Sequence, residues 1–381
     1  MKVAFVFNHS YMLGGGEGSL FDLIRSLNKD RFSAIAFVPA SGDIQERIES
    51  HGIPVFVSPL PALKSALPWR PPSALGRLIS TLMLSKPAII HANGSRACLY
   101  CALAGRILGI PVLWHVRETI KDLFLYERFL FGLSTRVVCV SESVKIKRFG
   151  SFPRKWKTKL RVVHNGVDTS IFRMDLTTRE KTRKDLVIKE NEILFGMVAN
   201  YIPLKGQDFL LKALAALKKS DPALSFKVLL IGRNLDRAFH GQLLHLAAEN
   251  QMLDAVIFRD YTERIAEIYP ALDIFVLPSK REGFSRSLIE AMSTGLPVIA
   301  TRLAEIEEAV VDEENGLLVR YDDVQGLALG MLRLAKDKAL RSAMGASNRA
   351  KAEKQFSLQS HVRSIQMVYS EIHSQSFRYQ A

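Results

Sequence analysis

The stretch DIFVLPSKREGFSRSLIEAMSTGLPVIAT, residues 273–301, decides the fold. "DIFVLP" reads as a buried strand, and Ser285 or Ser287 can cap a following helix. "PVIAT" reads as the next strand after a Gly-Leu-Pro break. The same alternation runs through the chain. Apolar, β-rich runs recur as "KVAFVF", "SAIAFV", "IPVFVS", "PAIIHA", "PVLWHV", "RVVCV" and "LRVVHN", then as "EILFGMVA", "FKVLLIG", "AVIFRD", "DIFVLP", "PVIAT" and "NGLLV". Helical patterns such as "GSLFDLIRSL" and "DFLLKALAALKK" separate most of them, which predicts parallel sheets covered by helices on both faces.

A chain of 381 residues exceeds what one hydrophobic core usually supports, so two domains are expected. We place the first at residues 1–172 and the second at 173–357. The charged, apolar-poor piece RMDLTTREKTRKD, residues 173–185, reads as the connection, and residues 358–381 as a helix crossing back onto the first domain. The amino terminus breaks its apolar run at Asn8 and reads as a strand, not a targeting signal. No segment reads as a membrane span. Only Cys98, Cys101 and Cys139 occur, too few for a disulfide framework, which suggests a reducing compartment. The Cys98/Cys101 pair lies in "RACLYCALAGRILG" with no second pair or nearby histidine, so it reads as a packed helix face.

A net charge of +14 points to anionic ligands or surfaces. In doubly wound sheets ligands bind beyond the carboxyl ends of the strands. The polar residues at those ends are Asn8, His91, His115, Ser141 and Asn165 in the first half, and Asn200, Gly232 and Ser279 in the second. "SYMLGGGEGSLFDLI" sets Gly14, Gly15, Gly16 and Glu17 before a helix, where backbone N–H groups can approach a phosphate or sugar. Its register after the strand is wrong for a nicotinamide fingerprint. "NYIPLKGQDFLLKAL" sets Lys205 and Gly206 at a helix start that follows a strand, suited to a diphosphate. Glu282 falls in the loop of the opening stretch and Glu290 inside its helix. Ionised carboxylates accept hydrogen bonds and suit vicinal hydroxyls. Two of them around a helix start would bracket a ligand with diols at both ends and an anion between, the layout of a nucleoside diphosphate sugar. A solvated loop lysine and an ordinary acid in a first helical turn are the plainer readings of the same residues.

Residues 279–301 resemble the E-x7-E region of the retaining glycosyltransferases of family 4, of bacterial cell-surface glycan type. "VHNGVD", residues 163–168, resembles their NGVD turn. "GGGE", "VCVSES" and "NGLLV" resemble further segments of that family in the same order. The resemblance implies a glycosyltransferase-B (GT-B) fold: two Rossmann-like doubly wound parallel-sheet domains facing a cleft, with the donor held mainly by the second. It implies that Glu290 binds ribose hydroxyls and Glu282 those of the transferred sugar. Gly283, Phe284 and Ser285 would line the sugar and diphosphate, and Lys205 would neutralise the diphosphate. His115 would face the donor sugar, and Gly14, Gly15, Gly16 and Glu17 the acceptor or diphosphate. Where that family usually carries a second cationic arginine, this chain has Asn200, which leaves Lys205, the helix end and Arg233 or Arg286 to balance the charge. "TRLAEIEEAV", residues 301–310, departs from the family's glycines as well.

"KIKRFGSFPRKWKTKLR", residues 145–161, packs basic residues among Phe149, Phe152 and Trp156. It is expected to meet an anionic membrane surface or a polyanionic acceptor; nucleic acid is the less favoured partner. The expected reaction is metal-independent, retaining transfer of a sugar to a hydroxyl of a glycan or lipid-linked acceptor, with no cofactor. The expected location is the cytoplasm, peripheral on the inner face of the plasma membrane. A nucleotide-sugar epimerase on the same fold and a nucleic-acid-binding protein with a vestigial site are the alternatives.

Overall fold

The computed structural model describes residues 1–12, 14–62, 70–119 and 123–378. The chain divides into two compact units, Met1–Gly166 with Leu358–Ala381, and Val167–Ser357. The first contains β1 (Lys2–Val6), α1 (Gly15–Arg25), β2 (Ser33–Val38), α2 (Asp43–Glu49), β3 (Val55–Val57), α3 (Arg70–Ser85), β4 (Ile89–Asn93), α4 (Ser95–Leu108), β5 (Val112–Val116), α5 (Phe124–Leu133), β6 (Arg136–Cys139), α6 (Glu142–Phe149) and β7 (Leu160–Val162). Its sheet runs β3-β2-β1-β4-β5-β6-β7, with every pairing parallel.

The second unit contains α7 (Leu176–Asp185), β8 (Ile193–Val198), α8 (Gln207–Ser220), β9 (Phe226–Ile231), α9 (Arg237–Glu249), β10 (Val256–Arg259), β11 (Ile274–Leu277), α10 (Arg286–Thr294), β12 (Val298–Thr301), α11 (Ala304–Glu307), β13 (Gly316–Val319), α12 (Val324–Lys336) and α13 (Lys338–Gln355). Its parallel sheet runs β10-β9-β8-β11-β12-β13. The final helix, α14 (Leu358–Arg378), belongs to the first unit. Leu358, Val362, Ile365, Tyr369 and Ile372 recur on it at helical spacing and join the core beneath β1.

The expected doubly wound sheets are present, and each β-rich run named above contains a strand. In both sheets the strand order reverses once, between β1 and β4 and between β8 and β11. These switch points are where crossovers part and leave room for a ligand. The segment 173–185 corrects an expectation. It is not a connection but carries α7, inside the second unit. Its charges have partners: Arg179 and Arg183 both reach Asp273, at 2.5 and 2.9 Å, and also the carbonyls of Pro270 and Ala271. A run of charge reads as linker when the acid and carbonyls that absorb it lie some ninety residues away.

Cys98 and Cys101 are buried on α4, as a packed face requires. Burial pushes the Cys98 thiol up to about 12. None of the described helices is long and apolar enough to cross a membrane.

Candidate active site

In the second unit the loops after β8 and β11 meet at the switch point. Gly206 caps α8 with φ +77°, and a Cβ there would lie 2.2 Å from the Pro278 carbonyl oxygen. Only glycine combines that left-handed backbone with so close an approach. The contact, with the Lys280 N–H donating to the Leu204 carbonyl at 2.9 Å, fixes the Lys205 turn beside the loop that carries Glu282. Lys205 Nζ donates to Glu282 Oε1 at 2.8 Å, and Ser279 Oγ donates to the same oxygen at 2.7 Å. Glu282 is buried, so its carboxylate is oriented by these donors.

Ser285 caps α10, its Oγ accepting from the Leu288 N–H. One turn on, the buried Glu290 accepts from the Tyr269 hydroxyl at 2.8 Å on Oε2 and from Arg286 Nε at 2.7 Å on Oε1. Tyr269 is fully buried. Burial and the neighbouring carboxylate hold its hydroxyl well above the usual phenol range, so it remains a donor. Phe284 is buried against Phe356, with ring centroids 5.3 Å apart; Gly283 joins it to Glu282. At the neighbouring strand ends, Asn200 Oδ1 accepts from the Arg233 N–H at 3.2 Å, and the Arg233 guanidinium lies 4.9 Å from the Tyr261 ring centroid. The structure thus joins Lys205 to Glu282 and Asn200 to Arg233.

In the first unit, α1 starts at Gly15 after Gly14. Glu17 is buried in its first turn and accepts from His9 Nδ1 at 2.7 Å. A Cβ on Gly16 would sit 3.1 Å from Arg117 Cδ. His115 does not open on solvent as a strand-end residue would; it is fully buried. The short Tyr369–His91 contact (2.5 Å) and the His91–His115 contact (3.1 Å) form a relay. The Arg117 guanidinium also approaches His115 Nδ1, at 3.4 Å. These partners make Nδ1 an acceptor and leave the proton on Nε2, which has no partner among the described residues. Arg117 donates further to Asn93 and Asn165.

Of the other strand-end residues, Ser141 caps α6 through the Val144 N–H. In the basic stretch 145–161 the expected phenylalanine anchors are what differs. Phe149 and Phe152 are core residues, and Trp156 stacks on Phe131 with centroids 5.8 Å apart. Arg148 is buried against Glu127 at 2.6 Å, and Lys159 donates to the carbonyls of Gly132 and Ser134 at the end of α5. Phe149 and Phe152 therefore anchor nothing outside the fold.

Residues 13–171 match the family model described as Glycosyltransferase Family 4, and residues 178–351 the model described as Glycosyl transferases group 1. This chain is a family 4 glycosyltransferase. The enzyme is 25% identical to a UDP-Gal:alpha-D-GlcNAc-diphosphoundecaprenol alpha-1,3-galactosyltransferase of Escherichia coli, over 77% of each chain. It is 28% identical to the lipopolysaccharide core biosynthesis mannosyltransferase LpsB of Rhizobium meliloti (strain 1021), over 78% of this chain and 90% of that one. The crystal structure of Anabaena Alr3699/HepE in complex with UDP and glucose superposes with a TM-score of 0.86 at 23% identity, covering 97% of this glycosyltransferase and 99% of that chain. The fold is GT-B. Tyr269, Arg117 and His9 are the polar partners that sequence reasoning missed. Tyr269 in "AEIYPALDI" carries no motif, and Arg117 simply follows a strand.

Proposed function

We propose that this glycosyltransferase moves a sugar from a nucleoside diphosphate sugar to a hydroxyl of a glycan or lipid-linked acceptor. Transfer retains configuration at the anomeric carbon and uses no divalent metal. The observation that carries this reading is the Lys205–Glu282 pair at the β8/β11 switch point. It sets a cation suited to a diphosphate beside a carboxylate suited to sugar hydroxyls. Glu290, presented by Tyr269 and Arg286, takes the ribose diol, and Gly283, Phe284 and Ser285 line the path between. Asn200 supplies no charge, so the second cation comes from Arg233, whose amide it holds, or from Arg286.

In the transfer, the bond from the anomeric carbon to the diphosphate oxygen breaks and its electron pair leaves with the nucleoside diphosphate. The acceptor oxygen bonds to that carbon from the same face, and its proton passes to the departing phosphate oxygen. Lys205 and the amides at the start of α10 stabilise the developing charge. Gly14, Gly15, Gly16 and Glu17 serve the acceptor.

The names of the relatives support cell-surface polysaccharide or lipopolysaccharide synthesis, and with that reading goes our proposal that the enzyme works in the cytoplasm against the inner face of the plasma membrane. Incubation with a panel of nucleotide sugars, with and without lipid-linked acceptors and with EDTA present, tests the reading. Acceptor-dependent formation of an α-linked product from an α-linked donor, unaffected by EDTA, is expected. An inverted product removes the retention claim, and free epimerised sugar without acceptor removes the transfer.

A further inference from the structure

Helix α5 is apolar on the side that faces away from the core. Its inner stripe, Glu127, Leu130 and Phe131, is buried. On the opposite stripe Phe124, Leu125 and Phe129 are 50, 78 and 47% exposed, and Leu123 at the helix start is 83% exposed. A helix apolar all round is normally covered on all sides. Arg128 shares the outer stripe, its guanidinium 5.5 Å from the Phe124 ring centroid and 5.3 Å from that of Trp156. Through Trp156 the ridge adjoins the 3-10 turn Arg154–Lys159, where Arg154, Lys155 and Lys157 are exposed. From Leu123 to Arg161 there are ten Lys or Arg and two acids. Both acids face arginine or lysine: Glu127 pairs with Arg148 and Glu142 with Lys145.

We propose that this ridge, with its basic flank, seats the enzyme on an anionic lipid bilayer. Protruding aliphatic and aromatic tips suit the acyl boundary, and the adjoining cations suit the phosphates above it. An apolar protein partner would gain nothing from the positive flank. The surface is distinct from the expected Phe149 and Phe152 anchors, which are core. It deepens the reading of a lipid-linked acceptor but is measured without donor or acceptor, so failure of either leaves the other intact.

The test is co-sedimentation of the full chain with phosphatidylglycerol-containing vesicles and with phosphatidylcholine vesicles. Wild type should prefer the anionic vesicles by about tenfold or more, and less so as salt rises. Leu125→Ser/Phe129→Ser and, separately, Arg154→Glu/Lys155→Glu should each lower binding about tenfold. The second pair lies on exposed positions outside the core and stands if the first fails to fold. Leu84→Ser, an equally exposed apolar site on α3, should leave binding unchanged. Equal binding to both vesicle types overturns the proposal, as does undiminished binding of the α5 or basic variant. An equal loss in the Leu84 variant also overturns it. So does light scattering that shows a dimer dissociated by the α5 substitutions, which would make the ridge a contact between copies of the chain.

Discussion

Lys205 Nζ lies 2.8 Å from Glu282 Oε1, and the pair joins the loop after β8 to the loop after β11. Each side chain fixes the position of the other, and we propose that the sugar nucleotide meets both. The carboxylate is the more buried partner, so losing the lysine takes a charged donor from a buried acid that Ser279 also holds.

Lys205→Ala should therefore act twice. Loss of the cation beside the leaving group should lower kcat/KM by about a hundredfold or more. Loss of the buried acid's partner should lower stability by about 1–3 kcal/mol. Glu282→Gln, which removes the acid and keeps its size, should abolish the donor's effect on Tm with a smaller stability loss. A donor at a hundred times its Kd raises stability by about 2.7 kcal/mol, an effect thermal melts resolve. In the double variant the losses should fall short of additive. Fully additive losses would mean the two residues do not act together.

Tyr269→Phe isolates the presentation of Glu290, since it removes one hydroxyl and no volume the core needs. That hydroxyl donates to Glu290 Oε2 inside a fully buried contact. Its loss should cost about 1–2 kcal/mol, seen as a rise of roughly tenfold in the donor's KM with kcat little changed. A fall in kcat at constant KM would move Glu290 from ribose binding to the reaction itself.

The strands and the switch-point loops were legible because each rests on local signals: apolar runs, a serine cap at Ser285, a glycine before α8. Partners remote in sequence were not. Arg179 and Arg183 looked like linker charge until Asp273 lay beside them. Phe149 and Phe152 looked like surface anchors because their basic neighbours hid a pattern whose apolar side turns onto Phe131. His115 was legible as a strand end, but its burial depends on His91, Tyr369 and His361, contributed by another strand and by α14. No spacing encodes such contacts.

Gly206→Ala tests whether the turn geometry alone holds the site. The added methyl would meet the Pro278 carbonyl oxygen at 2.2 Å, on a backbone with φ +77°. The α8 start must then retreat from β11 and draw Lys205 away from Glu282. We expect a stability loss of about 1–3 kcal/mol and a donor affinity lowered as far as in Lys205→Ala. The same change at Gly241, where an added Cβ meets nothing within 4 Å, should leave donor binding unchanged. Wild-type donor affinity in the Gly206 variant would show that the loops are held by something else.

The relay under the first sheet predicts acid sensitivity of a definite sign. His91 and His115 are both held well below the ordinary histidine value, first by burial and then by the Arg117 charge. Unfolded, each titrates near 6.5. Between that value and its depressed native one the unfolded chain binds more protons, so stability rises with pH across that window. Their contribution is complete above pH 6.5 and is lost as pH falls below it, at about 1.4 kcal/mol per pH unit for each histidine. Denaturant melts from pH 5 to 7.5 should show this slope, and His91→Gln should remove about half of it. The Gln variant must lose some stability at pH 7.5, because the Tyr369 hydroxyl and His115 Nδ1 both face that ring. The diagnostic quantity is therefore the slope and not the stability at one pH. A slope unchanged by the substitution would mean that the ring is already charged in the native fold.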